Sequence, residues 1–328
     1  MKTQKEIFES IFELNQFSSR KEMYEYIANE FCASVHTVNK WCSGIIGVNY
    51  VQMQQIVHHF KLSPADLFND SPNWAIFNLR QIDMKDLSSY RVYMEHINNL
   101  LARAVNSSDA QIYFHADEIP VFHFMPYTNL TYFKLYAYAY DVIKLDHTYE
   151  EFCKYISKIK LEPVFRSISD NYNRIPSIEI WGDHVIDNIL FQINHFEILQ
   201  RFDSPRSKKI LLDELMDLIK SFQVTATNGE KSTGKRFDFF RKPAPLRMGY
   251  MIIQAGNRRT LSLKSDTINS MTSRSHASVD FYYNSFRSSM NKSTALGIGA
   301  EGDRVQYFRS LCNKIYEAYS KDQKKRLK

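Results

Sequence analysis

The chain has 328 residues, more than the ~100–200 of one ordinary domain, so two or three domains are expected. Hydrophobic residues at 44% and charged residues at 24% exclude disorder as the dominant state, and 4 cysteines without a CxxC exclude a zinc ribbon or disulfide scaffold. The net charge of +6 is uneven, with −1 over residues 1–68, −5 over 69–229 and +12 over 230–328, which excludes a uniformly basic chain.

In chain order, Ile7, Phe8, Ile11 and Leu14 mark a first helix. The stretch Met23–Gly44 follows, with Ile27 and Ala28 on the inner face of a second helix and a turn at Cys32-Ala33. Ser34 is a good N-cap for a third helix in which Val38 and Trp41 face inward and Gly44 terminates. Met53, Ile56, Val57, Phe60, Leu62, Leu67 and Phe68 supply the remaining core. Ile27-Ala28, Ser34, Val38, Lys40-Trp41, Gly44, the helix end at Phe60–Ser63 and the closing Asp66-Leu67 together resemble the Cro/phage-repressor (XRE-type) helix-turn-helix. The resemblance covers a fifth of the chain and implies a five-helix domain that binds double-stranded DNA. It implies base readers at His36, Thr37 and Lys40 on the third helix, with Ser34, Val35 and Asn39 beside them. It also implies phosphate contacts from Arg20, Lys21 and Tyr24. The family pattern has Gly where this chain has Cys32, so a left-handed Cys32 would add about 1–2 kcal/mol of strain.

Asn69–Asn73 reads as a linker. Leu87, Tyr90, Met94, Ile97, Leu101 and Ala104 then recur at the 3-4 spacing of a coiled-coil seam, which predicts a homodimerisation helix. Residues 109–230 read as mostly helical. Thr148-x-x-Glu151 is a capping box, Ile186, Ile189, Leu190, Ile193 and Phe196 share a helical face, and Ser204-Pro205 opens a further helix. Alternation from Leu246 through Leu263 predicts a β-hairpin over about 246–264, and two helices close the chain. The expected fold is mainly α: a helix-turn-helix domain at 1–70, a linker and dimerisation helix at 71–108, and a mostly helical sensor or oligomerisation domain at 109–328 with a small sheet (α+β). Asp117–Phe124 and Phe133-Lys-Leu-Tyr136 loosely resemble C-terminal domains, without assigned activity, of bacterial helix-turn-helix regulators.

Motifs with chemical appearance do not hold together. Gly229-x-x-x-x-Gly234-Lys235-Arg236 has Arg where a P-loop needs Ser or Thr, and Gly297–Gly302 spells GxGxxG without a preceding strand. His115, Asp117, Glu118 and His123 are interleaved with aromatic residues and lack metal-ligand spacing. No catalytic residue, metal or cofactor is therefore expected. A cytoplasmic, ligand-responsive transcription regulator is the leading expectation, with duplex DNA and a second copy as partners and no membrane. The alternatives are an enzyme or defence effector with an autoregulatory domain, or a structural DNA-binding or assembly protein. A small anionic ligand is the candidate effector, with Arg247, Arg258, Arg259 and Arg287 to hold it through bidentate contacts.

Overall fold

A computed structural model describes residues 2–15, 17–62, 67, 75–79, 82–83, 86–143, 145–244, 246, 248–256, 258–265 and 268–326. The chain forms two compact units, residues 1–78 with 273–278, and residues 79–272 with 279–328.

In the first unit the described residues form four helices: α1 (Gln4–Leu14), α2 (Arg20–Glu30), α3 (Val35–Cys42) and α4 (Tyr50–His59). Each begins at a Thr, Ser or Asn whose side chain accepts a backbone N–H three residues on: Thr3, Ser19, Ser34 and Asn49. Such caps are worth about 0.5–2 kcal/mol apiece, so the boundaries are set locally. The helices close over Ile7, Phe8, Ile11, Met23, Ile27, Ala28, Val38, Trp41 and Ile56. The fifth helix expected around Asp66-Leu67 falls largely outside the described residues.

The second unit is built on a mixed sheet. Strand β2 (Gln111–Ala116) pairs in parallel with β3 (Ser177–Gly182), and β3 in parallel with β4 (Phe237–Lys242). On the other side of β2 lies the antiparallel hairpin β5 (Tyr250–Ala255) and β6 (Arg258–Lys264). With β1 (Asn78–Leu79), β7 (Ser270–Ser273) and β8 (Thr294–Ala295) the order is β1-β7-β6-β5-β2-β3-β4-β8. Helices α5 (Leu87–Val105), α6 (Val121–Phe124), α7 (Thr128–Ile143), α8 (Tyr149–Ile156) and α9 (Glu162–Asn173) flank β2 in the chain. Helices α10 (Asp187–Ile198) and α11 (Pro205–Asn228) link β3 to β4. Helix α12 (His276–Asn291) covers one sheet face through Tyr283 and Phe286, whose rings meet Tyr113 at 5.1 and 5.5 Å. The opposite face is sealed by α11 and α13 (Glu301–Arg326): Phe222 stacks on Trp181 at 4.0 Å and Phe308 lies 5.9 Å from Phe239.

Three expectations are corrected. Residues 109–230 are not simply helical, because β2 and β3 run through them. The hairpin is the return of a larger sheet, beginning at Tyr250 rather than near 246. The third correction is the seam. Helix α5 belongs to the second unit and packs against α9, with Tyr90, Met94 and Leu101 at most 1% exposed and Ile97 against the same core. The 3-4 spacing is that of a helix buried along one side, so Tyr90, Met94, Ile97 and Leu101 face their own unit and not a partner. Leu87 opens the helix.

Among the described residues no helix is long and apolar enough to cross a membrane.

Candidate nucleic-acid interface

Helix α2 packs against α3, and the chain turns between them at Cys32, whose φ of 49° is left-handed. Phe31 N donates to Ile27 O, and Ala33 N closes the turn on Ala28 O at 3.0 Å. Ser34 then caps α3: its Oγ accepts from Thr37 N at 3.0 Å and lies 2.8 Å from Thr37 Oγ1. At the far end Gly44 takes φ 76° and the N–H of Ile45 donates back to Lys40 O at 2.9 Å, a left-handed helix end that glycine adopts without strain. Val38 and Trp41 anchor the inner side.

The outer side carries Val35, His36 and Asn39 exposed, with Thr37 and Lys40 half-buried. Thus His36, Asn39 and Lys40 share the outward face of α3 with Val35 and Thr37 at its two margins, while the hydroxyls of Ser34 and Thr37 are turned toward each other. Tyr24 is half-buried. Arg20 departs from its expected role: its guanidinium makes two bonds to Glu9, at 2.8 and 2.6 Å, and stacks 5.2 Å from the Phe12 ring. That pairing raises the Arg20 pKa further and holds Glu9 below the usual carboxylate range. Lys21 is exposed and lies 3.8 Å from Glu25.

Charge separates within this unit although its sum is near zero. Residues 31–65 contain no Asp or Glu, and hold Lys40, Lys61, His36, His58 and His59. The acids of 1–30 have local work: Glu6 closes the box with Thr3, Glu22 accepts from Ser18, and Glu30 lies 3.9 Å from His59. A shallow depression beside the turn is lined by Glu30, Phe31, Cys32, Gln55, His58 and His59.

One positioning residue escapes sequence reasoning. Gln4 donates to Trp41 O at 2.7 Å and Ile46 O at 2.8 Å and accepts from Val48 N at 2.7 Å, tying α1 to the end of α3. A glutamine in a first helical turn carries no signal of that role.

In the second unit the arginines expected to hold an anion do not form one cradle. Arg259 lies 4.1 Å over the Tyr283 ring, donates to Gln254 Oε1 at 3.0 Å and lies 3.8 Å from Asp280. Arg287 and Arg258 are exposed, and Arg247 lies outside the described residues. The buried charges are elsewhere. Glu179 is fully buried and accepts from Trp181 Nε1 at 2.8 Å, His123 Nε2 at 3.1 Å and the Tyr172 hydroxyl. Burial pushes its carboxyl up, but His123, Tyr172 and the charge of Lys231 outweigh that and hold it low. Lys231 donates to Tyr172 O at 2.9 Å and Ile175 O at 2.7 Å. Lys134, 3% exposed, meets Glu118 at 3.1 Å. Among the described residues no group of three or more His, Cys, Asp or Glu could hold a metal ion.

Comparison of the chain with family models, with curated proteins and with solved structures finds no match.

Proposed function

We propose that the first unit binds double-stranded DNA as a helix-turn-helix, with α3 in the major groove, and that the protein is a transcription regulator whose second unit senses or assembles. The observation that carries this is the α2–turn–α3 pair: a left-handed turn at Cys32, a Ser34 cap, and an outward face of Val35, His36, Asn39 and Lys40 in an acid-free stretch. Those residue types suit base edges: Asn pairs with adenine, Lys with guanine, and Val meets a thymine methyl. A single module reads few base pairs, so two copies are expected about 34 Å apart on one DNA face. The buried seam of α5 is not the contact that joins them.

The test is selection of duplexes from a random pool by the full chain, followed by affinity measurements on the selected site. Lys40→Ala and Asn39→Ala should each cost about 1–3 kcal/mol and relax preference at one base position. With Lys40 on a base edge, Lys21 and Lys61 leave few phosphate partners, so the slope of log affinity against log salt should be shallow, roughly −2 per unit. Failure to select any sequence, or unchanged affinity in both variants, sinks the reading.

A further inference from the structure

The parallel strands β2, β3 and β4 end on the same edge of the sheet, and strand order reverses beside β2: β3 and β4 extend one way, and the chain returns as β5 on the other side. Crevices outside the carboxyl ends of parallel strands are where open α/β sheets commonly hold ligands. The charges at this edge close pair by pair. Asp117 meets Lys264 at 2.9 Å and Glu118 meets Lys134 at 3.1 Å. Asp183 takes both arms of Arg241 at 2.6 and 2.9 Å, and Asp187 meets Lys314 at 2.5 Å.

Lys242, the last residue of β4, is the exception. It is half-buried, its Nζ donates to Ser289 Oγ at 2.8 Å, and among the described residues it has no carboxylate partner. Ser289 Oγ also lies 3.2 Å from His115 Nε2, and His115 Nδ1 lies 3.2 Å from Met248 O. The backbone carbonyl can only accept, so Nδ1 carries the ring proton and the Ser289 hydroxyl donates to Nε2. Among the described residues, two of the three Lys242 N–H groups are left without a protein acceptor. Tyr250, paired with His115 across β2 and β5, stacks on that ring at 4.8 Å. Its hydroxyl belongs to a residue 4% exposed, faces Ser285 one turn before Ser289 on α12, and among the described residues makes no hydrogen bond of ordinary length.

An ammonium without a carboxylate partner and, on the same sheet face under the same helix, a buried hydroxyl without a hydrogen bond of ordinary length together call for one negative, hydrogen-bond-accepting group. We infer that Lys242, Ser289 and Tyr250 form a binding site for a small oxyanion, the phosphate or carboxylate of a metabolite. The anion supplies the counter-charge for Lys242 and acceptors for its free N–H groups and for Tyr250 Oη. This places the effector on different residues from the arginines expected to hold it, and it stands whether or not the first unit binds DNA.

The experiment is thermal unfolding of the full chain in potassium phosphate, potassium succinate and potassium chloride at equal ionic strength and pH. At least one of phosphate and succinate should raise the melting midpoint above that in chloride, and which one does so separates a phosphate ligand from a carboxylate one. Lys242→Met should weaken the apparent affinity at least about tenfold, since a hydrogen bond to a charged group is worth more than one decade. Lys242→Arg should keep the shift, and Ser289→Ala should reduce it. The inference is overturned if neither oxyanion moves the wild-type midpoint or if the shift survives Lys242→Met. If that variant does not fold, an undiminished shift in Ser289→Ala overturns it.

Discussion

Cys32 holds a φ of 49°, a region that costs a residue with a Cβ about 1–2 kcal/mol and glycine nothing. Glycine gives back part of that gain in chain entropy, so Cys32→Gly should stabilise the first unit by about 1 kcal/mol in denaturant titration. A loss of stability would mean that the thiol makes a compensating contact. Lys231 shows the opposite kind of strain. Burial drives its pKa from 10.5 down to about 7, with Glu179 offsetting only part. Between those two values the unfolded chain holds a proton that the folded chain has lost, so stability from this group rises with pH across that window. Urea midpoints measured at pH 7, 8 and 9 should climb, and Lys231→Met should flatten the climb. Glu179 is the acceptor at the centre of the same cluster. Glu179→Gln removes the charge that three donors and Lys231 surround, at an expected cost of about 3–5 kcal/mol.

At the scale of elements, α5 distinguishes a core helix from a seam. Met94 is 1% exposed, so Met94→Glu should lower the melting temperature of the second unit, and sedimentation should show no change of mass in whatever protein stays folded. A stable, folded protein of halved mass would instead restore the seam. The contrast explains what the sequence could and could not say. Caps were legible because they are local: Ser34, the Thr148/Glu151 box and Ser204 before Pro205 all stand where side-chain chemistry puts them. Strands β2, β3 and β4 were not. Each has six residues, and covered on both faces it shows a mixed apolar run where a half-exposed strand would alternate cleanly. Glu179 on the inner face of β3 breaks the pattern further. The 3-4 spacing of α5 fits burial in any apolar surface, and no local signal says whose surface it is. Lys242, Ser289 and His115 come from β4, α12 and β2, and only pairing of β2, β3 and β4 brings them together.

For the whole molecule, two separate apolar cores imply two cooperative transitions. Calorimetry should resolve them, with Cys32→Gly moving one and Met94→Glu the other. A single transition shifted by both variants would show that the units unfold together. The distribution of thiols has a practical consequence of its own. Of four cysteines only Cys32 is exposed; burial pushes the thiol of Cys42 to about 12 and that of Cys153 to about 11, and raises that of Cys312. Since the thiolate is the reacting species, a maleimide dye at neutral pH should attach first at Cys32. The native chain thus carries its own spectroscopic handle, seated in a shallow depression at the turn between α2 and α3, where a change in fluorescence would report on the helix proposed to enter the groove without any engineered residue.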